Sequence, residues 1–152
     1  MAVEVEFLGP MAFKGVSPTG HEVRMDAAPE VGGQDTGARP TEVLLMALAG
    51  CTGIDVVSIL QKMRVTIARF GMTVDGDRAA DHPKVFQTIR LTYRIQSPDA
   101  TPEQVKRAVR LSQERYCSIS AMLERAARMD VAVWLNGEEL EHFSRGPVAV
   151  GS

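Results

Sequence analysis

The chain has 152 residues, 45% of them hydrophobic and 24% charged, with a formal net charge of −2 at pH 7. That length suits one domain, residues 1–152, with a real core. The near-neutral balance argues against a nucleic-acid or anionic-membrane partner, which a basic patch would serve. The N-terminus, Met-Ala-Val-Glu-Val-Glu-Phe, has acids where a signal peptide needs a basic segment, and there are 2 cysteines. Together these point to a reducing, cytoplasmic setting, where a static disulfide is not expected and a reactive pair is possible.

Val3, Val5 and Phe7 alternate with Glu4 and Glu6, the period of a half-buried strand. Met11 to Lys14 and Val23 to Met25 read as a hairpin around Gly15-Val-Ser-Pro-Thr-Gly20. Ala27 to Pro40 is Pro- and Gly-rich without periodicity, a loop long enough to be functional more often than connecting. A helix follows from Arg39 to Arg64. From Val43 to Ile54 it has no charged side chain and is apolar on every face, which predicts burial on all sides. The window Val43 to Leu60 is the best membrane-span candidate, but Asp55 inside it argues against one.

Ala68 to Val74 and Val85 to Ile95 alternate as two neighbouring strands around a charged loop. Thr101-Pro-Glu-Gln opens a helix with a capping box, and its inner face is Val105, Ala108, Val109, Ser112 and Tyr116. Ser118 or Ser120 is expected to cap a short further helix with inner face Ile119, Met122, Leu123 and Ala126. Val131 to Leu135 is a last strand ended by the Asn136-Gly137 turn, with Trp134 packed in the core and a loose tail after about residue 143. The order is three strands, helix, two strands, two helices, strand. It predicts an α+β fold with a mostly antiparallel sheet.

The candidate chemistry lies at the cysteines. Cys51 sits in the apolar helix between Gly50 and Gly53. Each glycine costs about 1 kcal/mol in a helix interior, so the pair implies that something approaches closely. Cys117 falls at a predicted helix break, where unpaired N–H groups of the next helix favour the thiolate. At about 100° per residue, Asp55 lies one turn from Cys51, and an anion there disfavours a thiolate. His21, His82 and His142 are scattered without zinc-ligand spacing, so no metal site is expected. There is no Walker loop, no dinucleotide fingerprint and no G-x-S-x-G, so no cofactor is expected. Arg107, Arg110 and Arg115 read as a solvated helix face.

Two segments, Pro40-Thr-Glu-Val-Leu-Leu-Met-Ala-Leu-Ala-Gly-Cys51-Thr-Gly-Ile-Asp and Arg115-Tyr-Cys117-Ser-Ile-Ser-Ala, resemble the two cysteine motifs of the OsmC/Ohr family, the osmotically inducible and organic-hydroperoxide-resistance proteins. The Ala-Gly-Cys-Thr-Gly-Ile-Asp form is closest to an OsmC-like branch distinct from the best-studied peroxidases. The resemblance implies an intertwined homodimer in which mostly antiparallel sheets wrap around two long buried central helices. It also implies thiol-dependent reduction of organic hydroperoxides. The residue matching Cys51 attacks the peroxide, the one matching Cys117 resolves to a disulfide, and an external dithiol such as a lipoylated protein regenerates the pair.

In the family's peroxidases a glutamate ten residues before the first cysteine orients an activating arginine. Here Thr41 is ten before Cys51, and Glu42 is nine before, on the opposite helix face. Arg39 and Arg24 are the spatial candidates for the arginine. Thr41, Glu42, Arg39, Arg24 and Asp55 are thus the candidates for activating or orienting the thiol. The alternatives are a small-molecule-binding or redox-sensing protein on the same scaffold with little turnover, and a structural dimer whose cysteines only fill core.

Overall fold

The structure, a computed structural model, describes residues 1–148. The chain divides into two compact units, Met1–Met46 and Ala47 onward, and the division falls within the long helix.

In the first unit, β1 (Glu4–Phe7), β2 (Phe13–Val16) and β3 (Glu22–Met25) form an antiparallel three-stranded sheet in sequence order. The expected loop after Met25 is built on one carboxylate. Asp26 is 2% exposed. Its Oδ2 accepts from the backbone of Gln34 (3.1 Å) and of Thr36 (3.0 Å) and from the Thr36 hydroxyl (2.8 Å), and its Oδ1 accepts from the backbone of Ala27 (2.8 Å). A single 3-10 turn, Pro29–Val31, lies inside the loop and closes on Gly32 in the left-handed region at φ 92°. At Gly33 a Cβ would fall 1.8 Å from the Ala27 carbonyl oxygen, so only glycine lets the chain fold back there.

The helix α1 (Pro40–Lys62) starts in this unit. Pro40 takes the first helical position, and Glu42 Oε2 accepts from the Arg39 N–H at 2.8 Å, the returning half of a capping box. By length and composition alone α1 is apolar enough to cross a membrane, in line with the window Val43 to Leu60 being the best span candidate in the sequence.

In the second unit, β4 (Arg69–Arg78), β5 (Phe86–Gln96), β6 (Arg128–Leu135) and β7 (Glu138–Arg145) form a sheet in that order. The pairs β4/β5 and β6/β7 are antiparallel and β5/β6 is parallel. A parallel pair needs a crossover. It is supplied by α2 (Pro102–Leu111), a π-helical stretch at Ser112–Tyr116, and α3 (Ser118–Leu123). One face of the sheet is the core: Ile89, Leu91, Tyr93 and Ile95 on β5, and Met129, Val131, Val133 and Leu135 on β6. Thr101 closes the capping box of α2 with Gln104.

The fold class stands as expected, and several details differ. The strand β7 is additional: its acids Glu138, Glu139 and Glu141 mask the strand pattern, although the Asn136-Gly137 turn announces it. It carries the chain through Arg145, past the point where a loose tail is expected, and residues 149–152 lie outside the described residues. Trp134 is half-buried, on the parity opposite the core residues of β6. Arg110 is not simply solvated. It pairs with Glu141 (2.7 Å) and lies 3.8 Å over the Phe143 ring.

The helix α1 is not covered on all sides by its own chain. Only the stripe Leu48, Thr52, Gly53, Val56 and Leu60 is buried, and Ile54 is 72% exposed, because one chain packs against one stripe. Among the described residues, nothing beyond the helix's own adjacent backbone comes within 4 Å of a Cβ built at Gly50, and one at Gly53 would meet Phe70 and Met72 at ordinary contact distances. Among the described residues, none makes the close approach expected at the glycines.

Candidate active site

The buried stripe of α1 places Thr52 against β5 and the π-helical stretch. Thr52 Oγ1 lies 2.5 Å from Tyr93 Oη and 2.8 Å from Ser112 Oγ. Ser112 Oγ in turn lies 3.0 Å from Asp55 Oδ2. A carboxylate only accepts, so the Ser112 proton points at Asp55. Ser112 must then accept from Thr52, and Thr52 from Tyr93. Gln113 Nε2 donates to Tyr93 Oη (2.7 Å) and to Thr52 Oγ1 (3.1 Å), leaving each hydroxyl's single proton free for this direction. The result is a one-way chain from Tyr93 through Thr52 and Ser112 to Asp55. Burial first holds the Tyr93 phenol well above its ordinary range, so it remains a donor.

The π-helical stretch makes this possible. Ser112, at its start, faces inward as an α-helical count expects, with Gln113 beside it, and the wider turn that follows leaves Tyr116, expected on the same inner face, 57% exposed. The extended Cys117 interrupts the helix, so α3 starts with its own phase. Ser120 and the following Ala127 are buried, whereas Met122 is 63% exposed and Ala126 is exposed.

Against this scaffold the two thiols meet. Cys51 Sγ, Cys117 Sγ and an Asp55 carboxylate oxygen all lie within 4.8 Å of one another. Both cysteines are free; Cys51 is half-buried and Cys117 buried. Cys117 itself, rather than Ser118 or Ser120, caps α3, and its Sγ accepts from the Ser120 N–H at 3.4 Å. That N–H favours the thiolate, as expected at a helix start, but it does not decide the balance. Burial, and then the Cys51 thiol beside it, push the Cys117 thiol up from 9.0.

The other candidates lie in the first unit. Arg39 pairs with Asp35 at 2.6 Å and donates to the Gly37 carbonyl at 3.0 Å. Arg24 donates to Thr36 Oγ1 through Nε (3.3 Å) and Nη2 (3.1 Å). Glu42 is the helix-capping acid described above, and Thr41 is half-buried in the same turn.

Sequence reasoning did not single out Thr52, Tyr93 or Gln113, and it placed Ser112 only as a core position. The usable signal was Tyr93 on the buried parity of β5, since a buried phenol needs a polar partner.

A profile of the OsmC family, described as OsmC-like protein, matches residues 33–132. The chain belongs to the OsmC-like family. Protein YhfA of Escherichia coli is 36% identical over 129 residues, covering 85% of this chain and 93% of YhfA. Among solved structures, a hypothetical protein from Aquifex aeolicus superposes with a TM-score of 0.78 at 28% identity, over 91% of this chain and 97% of that one. An OsmC-like protein from Mycoplasma pneumoniae shares the fold at a TM-score of 0.75 and 21% identity, over 88% and 95% of the two chains.

Proposed function

We propose that this OsmC-like protein reduces organic hydroperoxides with Cys51 and Cys117. The observation that carries the reading is the placement of the two sulfurs within 4.8 Å of each other, one half-buried and one buried. The Cys51 thiolate attacks the terminal peroxide oxygen, the O–O bond breaks, and the alkoxide leaves with a proton as alcohol. Cys51 is left as a sulfenic acid. The Cys117 thiolate then displaces hydroxide, which leaves as water, and closes the disulfide. An external dithiol, a lipoylated protein in keeping with the family resemblance, returns both thiols and is itself oxidised.

The partner that completes the site is a second copy of the chain. Ala49, Gly50, Gly53, Ile54, Phe70 and Met72 line an apolar groove of about 600 Å³ along α1. Small residues along a helix let another helix approach closely, and covering this surface removes the exposed apolar stripe from water.

A second reading is favoured by Asp55. A carboxylate beside the thiols works against a thiolate, which suits a redox sensor or binding protein with little turnover.

The deciding experiment mixes reduced protein with cumene hydroperoxide and follows peroxide loss with a dithiol present, alongside mass spectrometry of the oxidised chain. Turnover that Cys51→Ser abolishes, with a Cys51–Cys117 disulfide in wild type, supports the peroxidase. A disulfide without sustained turnover supports the sensor. Neither product, with stability alone altered in Cys51→Ala and Cys117→Ala, returns both cysteines to a structural role.

A further inference from the structure

The cluster Cys51, Asp55 and Cys117 offers two sulfurs and one carboxylate oxygen within 4.8 Å of one another. Around a tetrahedral zinc ion, with Zn–S near 2.3 Å and Zn–O near 2.0–2.2 Å, neighbouring donors stand about 3.5–3.8 Å apart. The observed separations, none above 4.8 Å, are within about an ångström of that spacing, a difference of the size that side-chain rotation covers. Two of them, Cys51 and Asp55, are one turn apart on the rigid α1, a spacing that lets two helical side chains share one metal. The third is fixed at the start of α3.

The shell around the donors is already in place. Ser112 Oγ donates to Asp55 Oδ2 at 3.0 Å and is itself held by Thr52, Tyr93 and Gln113. The Ser120 N–H donates to Cys117 Sγ at 3.4 Å. Such outer bonds orient a ligand and leave its remaining lone pairs for a metal. Charge points the same way. Among the described residues, no salt bridge reaches Asp55, so its carboxylate is not neutralised by a paired cation, and a bound metal would displace the thiol protons as the thiolates form.

We infer that the reduced protein binds one Zn²⁺ per chain through Cys51 Sγ, Cys117 Sγ and an Asp55 carboxylate oxygen, with the fourth position open to water or another small ligand. Thiolates select zinc over harder divalent ions such as Mg²⁺ and Ca²⁺. The inference does not require peroxide turnover: a sensor or a structural dimer with the same three side chains binds the same ion.

The test titrates reduced, chelator-treated full-length protein with Co²⁺ and reads its absorption, then displaces Co²⁺ with Zn²⁺ in competition with a chromophoric chelator. One equivalent per chain is expected, with thiolate-to-cobalt charge transfer and the visible bands of a tetrahedral site. Cys51→Ser should lose about half of the charge-transfer intensity. Asp55→Asn and Ser112→Ala should each weaken Zn²⁺ by about ten-fold or more, with circular dichroism confirming the fold. Wild type carrying the Cys51–Cys117 disulfide should bind no cobalt, which also covers the case of a variant that fails to fold. Absence of charge transfer, intensity unchanged in Cys51→Ser, or affinity unchanged in Asp55→Asn overturns the assignment. None of these outcomes depends on peroxide consumption, so failure here and failure of the peroxidase reading are separate results.

Discussion

Ser112 Oγ donates to Asp55 Oδ2 at 3.0 Å and so joins the crossover to the long helix across 57 residues of sequence. This bond fixes the direction of the other hydroxyl protons, from Tyr93 to Thr52 to Ser112. It also sets where the carboxylate stands beside the two thiols. A buried chain of hydroxyls with one charged terminus is stronger than its separate bonds, and each member depends on the next.

Removing a link should therefore destabilise the protein and should not add simply. Ser112→Ala leaves Asp55 without its donor, and Tyr93→Phe removes a donor to Thr52 and an acceptor for Gln113. Each is expected to cost about 1–3 kcal/mol in urea denaturation. The double variant should depart from the sum by about 0.5 kcal/mol or more, since both belong to one network. Strict additivity would show that the hydroxyls do not act as a chain.

The Asp26 carboxylate gives the first unit an acid dependence. Its acceptor bonds, led by the one from the Thr36 N–H, lower its pKa from 3.8 to about 2 in the folded state. The group is depressed on folding, so its contribution is fully present above about pH 4 and fades as the pH falls toward 2. Asp26→Asn should lower the Tm at neutral pH, and the gap to wild type should narrow as thermal melts are taken to lower pH. A gap that stays constant with pH would mean that the carboxylate's charge is not what holds the loop.

The sequence made some of this legible for local reasons. The capping box at Thr101, the alternation of β5 and the Asn136-Gly137 turn depend on neighbours in the chain, and all three are found. The network at Asp55 depends on residues 41 to 61 positions apart, which no periodicity encodes. The π-helical stretch also breaks the α-helical count, so Tyr116 stands outside, and the extended Cys117 resets the phase of α3, where Met122 is exposed. Cys117 shows a competition that sequence could not decide, because the capping N–H was visible in the pattern and the depth of burial was not.

The exposed stripe of α1 predicts a dissociable dimer. Ile54 is 72% exposed within one chain and lines the apolar groove. Ile54→Asp should leave the folded chain monomeric in sedimentation equilibrium, because an unpaired carboxylate resists transfer into an apolar contact. Leu48→Ala, on the fully buried stripe of the same helix, should instead lower stability by about 2–5 kcal/mol. A wild type that is already monomeric, or an Ile54→Asp protein that stays dimeric, would remove the second copy from this face.

Cys117 supplies a kinetic prediction with a defined sign. Burial and the neighbouring Cys51 raise its pKa, so at neutral pH it is almost entirely the thiol, which is the unreactive form in disulfide exchange. On the two-cysteine reading, closure of the disulfide should accelerate as the pH rises above neutral. Until then the Cys51 sulfenic acid should persist long enough to be trapped by dimedone. Quenching wild type at intervals after one equivalent of cumene hydroperoxide, and weighing the products, should show the dimedone adduct dominating at neutral pH and the disulfide at alkaline pH. Ser120→Pro removes the N–H that donates to Cys117 Sγ and should shift the crossover further to the alkaline side. A crossover that is independent of pH would show that Cys117 ionisation does not limit resolution.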